Sequence, residues 1–278
     1  PSPGAFSTVD RIDYSNDTVD ASPKGHLSNP QQSMSATGNA DFGYIIGGYD
    51  PDGPTYAQSK IDRIDYSNDT ADASPRGSLS LARYHLAATG NDSFGYYGGG
   101  FSPSTSAIVS TVDRISYLND TATASPRGPL SIIKHQLAAA GNNSFGYFIG
   151  GASPAASPGI TSTVHRIDYA TDNADISPKG NLTGPRERTT ATGNQRFGYV
   201  GGNHPFNGSK VDRIDYANDT AQASPKGPLY IASPHFLSFM AATGNADFGY
   251  FGGNSSTFPP NYRSTISRID YANDTVTA

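Results

Sequence analysis

The chain has no cysteine and no tryptophan among its 278 residues, and only two methionines. Without cysteine there is neither a disulfide nor a thiolate metal site. No apolar run approaches the ~18 residues that a membrane-spanning helix requires, and no signal-peptide pattern opens the sequence. Charge is sparse as well: 19 Lys and Arg stand against 24 Asp and Glu, for a net charge of −5. Nucleic-acid binding draws on a basic surface to neutralise phosphates, so neither a nucleic-acid partner nor membrane insertion is expected. What the chain has instead is 31 glycines, 20 prolines, 13 phenylalanines and 17 tyrosines. That composition reads as short aromatic strands separated by many turns.

A repeat organises it. An aromatic stretch ending in paired glycines recurs at Phe42, Phe94, Phe145, Phe197 and Phe248. A second stretch, mostly RIDY, recurs at Arg11, Arg63, Arg114, Arg166, Arg213 and Arg268, with spacings of 52, 51, 52, 47 and 55 residues. A period near 50 residues is the mark of a propeller or solenoid. The repeats run approximately over 11–62, 63–113, 114–165, 166–212 and 213–267, with a partial copy at 268–278. We expect one domain over 1–278. The opening matches the middle of a repeat and Ala278 aligns with Ala21, so a longer parent polypeptide is expected.

Each repeat divides into four short segments, A to D, with no helical periodicity. In the second repeat these are Tyr84–Thr89, Phe94–Tyr97, Thr111–Tyr117 and Ala122–Ser125, the last broken by Pro126 and Gly128. Proline cannot donate to a ladder and is confined to sheet edges or strand ends. The SPKG or SPRG motif therefore puts segment D at the outer edge. Segment A is rich in alanine, which suits a crowded centre where strands converge. A four-stranded sheet of this kind is a propeller blade. The fold class expected is all-β: a β-propeller of four-stranded blades, five in this chain, closing at five, with six or seven as alternatives. Closure would bring the N-terminal D segment, Val19–Leu27, to the C-terminal repeat, which has no D of its own.

FGYFIGG (Phe145–Gly151) followed by STVHRIDY (Ser162–Tyr169) resembles the Kelch repeat. The match in order covers essentially the whole chain. It departs from the Kelch pattern in lacking a segment-D tryptophan, a usual packing residue between blades. Copper-dependent Kelch oxidases use cysteine, and this chain has none. The NDT and FGYFGG wording also looks like repeats in structural or tail-associated proteins of marine phages.

Arg and Asp of RIDY lie two apart on one face of segment C, and each Arg is expected to meet a carboxylate or carbonyl of the adjacent blade in a ladder between blades. The third copy has Ser116 in place of Asp, so that ladder should be weakest there. Asn16, Asn68, Asn119, Asn218 and Asn273 open NDT sequons for N-glycosylation. Turn chemistry is the favoured reading, because Asn and Asp bond their own backbone. YDPDG (Tyr49–Gly53) lacks the spacing and terminal Glu of an EF-hand, and no metal and no cofactor are expected.

The A–B and C–D turns hardly change between repeats, whereas the B–C loops and D–A connections vary freely. Varied loops on a regular scaffold are where binding usually resides. The binding residues expected on that face are Tyr49, Tyr56, Phe101, His204, Phe206, Phe258 and Tyr262, whose rings suit sugars or a protein partner. Basic and imidazole groups at the start of segment A join them: Arg83, His85, Lys134, His135, Arg188 and His235. The function expected is a non-enzymatic binding or structural module of a virion surface or tail fibre. It would make multivalent contacts with other structural proteins or a cell-surface receptor or glycan, as part of a larger assembly. An extracellular lectin is the alternative, and an enzyme centred on His85, His135 and Arg188 a second one.

Overall fold

The computed structural model describes residues 5–53, 55–202, 208–230, 239–255 and 262–278, without the side chains of residues 254, 255, 262 and 263. His204, Phe206, His235 and Phe258 lie outside the described residues, as does the side chain of Tyr262. The chain forms two compact units, Pro1–Arg127 and Gly128–Ala278.

The first unit opens with β1 (Asp10–Arg11) and β2 (Ser22–Pro23), which pair with one another. Its first blade is β3 (Ser35–Gly38), β4 (Phe42–Ile46), β5 (Lys60–Asp65) and β6 (Ser74–Ser78). The second has the main strands β7 (Ala87–Gly90), β8 (Phe94–Gly98), β11 (Val112–Ser116) and β12 (Ser125–Arg127). A small ribbon, β9 (Phe101–Ser102) with β10 (Ala107–Ile108), forms its B–C loop.

The second unit continues the pattern. One blade is β13 (Ala138–Gly141), β14 (Phe145–Ile149), β15 (Val164–Asp168) and β16 (Ser177–Pro178). The next is β17 (Thr190–Gly193), β18 (Phe197–Gly201), β19 (Val211–Asp215) and β20 (Ser224–Pro225). The last is three-stranded, with β21 (Ala241–Gly244), β22 (Phe248–Ser255) and β23 (Tyr262–Asp270). Apart from the two-stranded pairs β1–β2 and β9–β10, each sheet is an antiparallel meander in the order A-B-C-D, with D at the edge where present. Register is constant: the RIDY arginine faces the FGY tyrosine in Tyr44↔Arg63, Tyr96↔Arg114, Tyr147↔Arg166, Tyr199↔Arg213 and Tyr250↔Arg268.

One boundary expectation is corrected. Strand D does not end before the proline but is built on it, since β12 runs over Ser125–Arg127 and Ala122 belongs to the preceding turn. An edge strand needs ladder bonds on one side only, so the missing proline N–H costs nothing there. The N-terminal D strand β2 pairs with the short C strand β1 that precedes it.

Inside each unit the A strands of successive blades pack together, β3 with β7, and β13 with β17 with β21. Their alanines and threonines permit that approach. Between blades the core is aromatic. The FGY tyrosine of one blade stacks on the RIDY tyrosine of the next: Tyr44 on Tyr117 at 4.6 Å, Tyr147 on Tyr216 and Tyr199 on Tyr271 at 4.7 Å. These pairs occupy the inter-blade space that tryptophan would be expected to fill. They also explain the glycine of FGY. A Cβ at Gly198 would lie 2.6 Å from the Tyr216 hydroxyl, so no larger residue fits beneath the ring.

The RIDY arginine lies over the phenylalanine of its own blade, with Arg63 4.3 Å from the Phe42 centroid and Arg213 4.2 Å from Phe197. Its ion-pair partner is not the RIDY aspartate. Arg63 donates to Asp120 at 2.9 Å, Arg166 to Asp219 and Arg213 to Asp274 at 2.7 Å, each the NDT-position aspartate of the following blade. The same carboxylates accept the FGY hydroxyls of Tyr44, Tyr147 and Tyr199, at 3.0, 2.9 and 2.9 Å. Burial, reinforced by this carboxylate, pushes the Tyr44 hydroxyl up to about 12. The RIDY aspartate instead caps the 3-10 turn that follows it: Asp65 accepts from Ser67 N–H and Asp215 from Ala217 N–H. The expected weakness at Ser116 therefore has no basis in the pairing.

Candidate functional site

The two ends of each blade are chemically unlike. At one end the C–D turn is bonded to the A–B turn by the same backbone link throughout: Tyr66 N–H to Asp41 O, Tyr117 to Ser93, Tyr169 to Ser144, Tyr216 to Arg196 and Tyr271 to Asp247, at 2.9–3.1 Å. The asparagine of each A–B turn accepts from the first B-strand N–H, as Asn39 does from Phe42 at 2.9 Å. The NDT aspartates fasten this end to the neighbouring blade through the pairs described above. The NDT asparagines Asn16, Asn68, Asn119, Asn218 and Asn273 all sit exposed in these turns. Their main chain closes the turn, with Ala71 N–H bonded to Asn68 O and Ala221 N–H to Asn218 O at 3.1 Å. Apart from local contacts such as that of Gln195 with Asn143, one bonding scheme is repeated at this end.

The other end carries the B–C loops and D–A connections, joined by the bridges Gln32↔Tyr49, Tyr84↔Phe101 and His135↔Ala152. In the first unit these bridges gather rings. Tyr56 lies parallel to Tyr49 at 5.8 Å, Tyr84 meets Tyr49 edge-on at 5.4 Å, and Tyr84 also contacts His85 at 4.9 Å and Phe101 at 5.6 Å. Tyr49, Tyr84, His85 and Phe101 are half-buried, whereas Tyr56 is 58% exposed and presents an open face. Sequence reasoning picked out four of these five residues and missed Tyr84, which it had placed inside strand A. Asp50, beside the cluster, is buried and accepts the Asp52 N–H at 3.0 Å, so it serves its own loop. Among the described residues no group of three His, Cys, Asp or Glu side chains is placed to hold a metal ion.

Two of the expected binding cations are not at the surface. Arg83 is completely buried and pairs with Asp113 at 2.9 Å, while also donating to Tyr97 O. Its counterpart Arg186 pairs with Asp212 at 2.7 Å. Each carboxylate also accepts the hydroxyl of a D–A residue, Ser80 or Thr183. Lys134 occupies the same place in the third blade and is also fully buried, but His165 stands where the aspartate would be. Lys134 donates to Phe148 O at 3.3 Å, and the His165 Nε2 lies 2.6 Å from Ser131 Oγ. Burial pushes the Lys134 ammonium down to about 7, and burial with the Lys134 charge pushes His165 down to about 3. Arg83 and Lys134 are thus internal struts. A long side chain at a D–A junction turns inward when the leucine of SPxGxL, four positions before it, is already anchored in the core, as Leu79 and Leu130 are.

One feature of this end escaped the sequence entirely. Two residues before each A strand the backbone turns left-handed, at Ser33 (φ 57°), His85 (58°), Gln136 (54°), Arg188 (54°) and Phe239 (56°). Left-handed φ turns the N–H sideways onto the preceding blade. His85 N–H donates to Ser33 O at 3.0 Å, Arg188 N–H to Gln136 O at 2.9 Å and Phe239 N–H to Arg188 O at 3.3 Å. In the second unit the side chains also converge. Arg188 Nε donates to Gln136 Oε1 at 3.4 Å and lies 3.6 Å from Glu187 Oε1, and its guanidinium sits 4.8 Å from the Phe239 centroid. Half-buried His135 flanks them, its pKa lowered by burial against the opposing pull of Glu187.

No protein-family profile matches the chain, and no curated protein matches it. Among solved structures, one described as "Structure of YjhT" superposes with a TM-score of 0.72, covering 95% of this chain and 94% of that one at 9% identity. The likeness establishes the fold: the chain is an all-β β-propeller with four-stranded antiparallel blades.

Proposed function

We propose that this chain is a non-enzymatic binding module of Kelch type, carried on a virion surface or tail-fibre-type assembly, that makes multivalent contacts through its variable-loop end. The observation that carries this reading is the asymmetry of the blades. One end repeats the same turn hydrogen bonds in five blades and the same Arg–Asp pair at Arg63, Arg166 and Arg213, while the other changes residue by residue on the same frame. Repeated presentation of modest contacts raises overall affinity without any single strong site. Immunogold labelling of particles from the source culture tests the setting. Gold on the particle exterior supports it; label confined to the cell interior overturns it.

A second reading is favoured by the ring cluster of the first unit: a lectin-like module in which the open face of Tyr56, backed by Tyr49, stacks on a sugar. Aromatic faces of this kind pair an apolar ring surface with hydroxyls at the rim. A glycan array with wild type and Tyr56→Ala tests it. Hits that vanish in the variant support the reading, and an array blank for both removes it. The NDT asparagines are read as turn formers. Intact mass unchanged by deglycosylation is the expected result.

A further inference from the structure

Glycine is plentiful in this chain and among the described residues occupies nine positive-φ positions, from Gly47 to Gly253. Yet the left-handed position ahead of strand A is never glycine. It holds Ser, His, Gln, Arg and Phe. The main-chain bonds made there need the conformation and not the side chain, and glycine adopts it without steric cost. Strained residues retained against an easier choice point to a use for the side chain.

In the second unit the use can be read from the geometry. Arg188 is held on three sides: Gln136 and Glu187 engage Nε, and the Phe239 ring lies beside the guanidinium plane. No hydrogen bond from its two terminal nitrogens is formed within the described residues, and the side chain keeps 31% of its surface exposed. A guanidinium gripped at Nε offers its remaining donors as a fork, and a fork matches a planar carboxylate in bidentate fashion. Glu187, the chain's only glutamate, balances the arginine charge. The site therefore suits a monoanion better than a phosphate dianion. Phe239, 46% exposed, adds a ring surface next to the fork.

We propose that Gln136, Arg188 and Phe239 form a binding site for a carboxylate-bearing ligand of the acidic-sugar type, with Arg188 as the bidentate donor and Phe239 as the platform. The proposal deepens the binding-module reading and rests on it. The full chain is titrated with sodium glucuronate, glucose and inorganic phosphate, followed by ligand-observed NMR and thermal shift. Glucuronate is expected to bind, glucose to show no saturable effect, and phosphate to bind at least tenfold more weakly. Arg188→Lys keeps the charge but loses the fork and should weaken glucuronate tenfold or more. Arg188→Gly relieves the backbone, so it should melt no lower than Arg188→Ala and yet bind nothing. Equal affinity for glucuronate in wild type and Arg188→Lys overturns the fork. Tighter binding of phosphate, equal binding of glucose, or no glucuronate binding by folded wild type overturns the ligand class. Glycan binding that depends on Tyr56 would survive each of those failures, so the broader reading is judged separately.

Discussion

Ser33 is held at φ 57° two residues ahead of β3, a conformation that costs a non-glycine residue about 1–2 kcal/mol. Replacing it with glycine removes that cost but loosens the unfolded chain by about 0.4–1 kcal/mol. Ser33→Gly should therefore stabilise the protein by about 0.5–1 kcal/mol. Ser35→Gly, two residues on and inside β3, should destabilise it by a similar amount, because a strand gains nothing from glycine. Denaturant unfolding of the pair checks this, and a loss at Ser33 equal to that at Ser35 removes the argument from strain. The sequence could not show it. Left-handed backbone is legible where glycine marks it, as at Gly99 and Gly100 (φ 68° and 108°). Ser, His, Gln, Arg and Phe share no pattern that would flag a common conformation. His85 and Arg188 drew notice as charged or titratable groups near a strand start, whereas Gln136 and Phe239 drew none.

At the scale of strands and turns, aspartates of the C strand and its turn have distinct tasks that their spacing hides. RIDY places Arg63 and Asp65 two apart on one face, and the arginine is expected to meet a carboxylate or carbonyl of the adjacent blade, with the RIDY aspartate as the nearest candidate. The structure instead gives Arg63 to Asp120, while Asp65 closes its own turn. The C–D turn is itself bonded to the preceding blade, with Gly77 N–H donating to Asp120 O at 2.8 Å, and this sets the Asp120 carboxylate beside the arginine. Asp120 also receives the Tyr44 hydroxyl and lies 3.3 Å from Arg76 Nε. Removing it leaves two cations and a buried hydroxyl without their acceptor. Asp120→Ala should cost about 3 kcal/mol, whereas Asp65→Ala should cost ~1 kcal/mol, the value of a cap. Urea midpoints of the two variants distinguish them, and equal losses would return the RIDY aspartate to the ladder. Order of strands, edge position of D and small residues in A were all legible, because proline and alanine act through backbone and volume. Choice of ion-pair partner was not, because it depends on how one blade meets the next.

At the scale of the whole molecule, one buried cation among the described residues, Lys134, has a histidine where its counterparts Arg83 and Arg186 have an aspartate, and that difference should govern the response to pH. Arg83 and Arg186 are matched by Asp113 and Asp212. Lys134 faces His165, and burial holds both below their usual values, at about 7 and about 3. Between pH 3 and 6.5 the unfolded chain protonates His165 while the folded chain does not, so stability falls as pH drops through that window. Between pH 7 and 10.5 the unfolded chain holds a proton on Lys134 that the fold has released, so stability rises with pH there. Below pH 7 the lysine is charged in both states and its burial penalty is fully present. Lys134→Met should remove the rise above pH 7 and stabilise the protein at pH 6 by about 1–4 kcal/mol, the range for replacing buried charge with a well-packed apolar side chain. His165→Asp should act differently. It restores the carboxylate found in the neighbouring blades, keeps the lysine charged in the fold, and should also flatten the profile above pH 7. Chemical denaturation of wild type and both variants from pH 5 to 9.5 measures the slopes. If Lys134→Met keeps the wild-type slope between pH 7 and 9.5, the buried amine is not the source of the pH dependence.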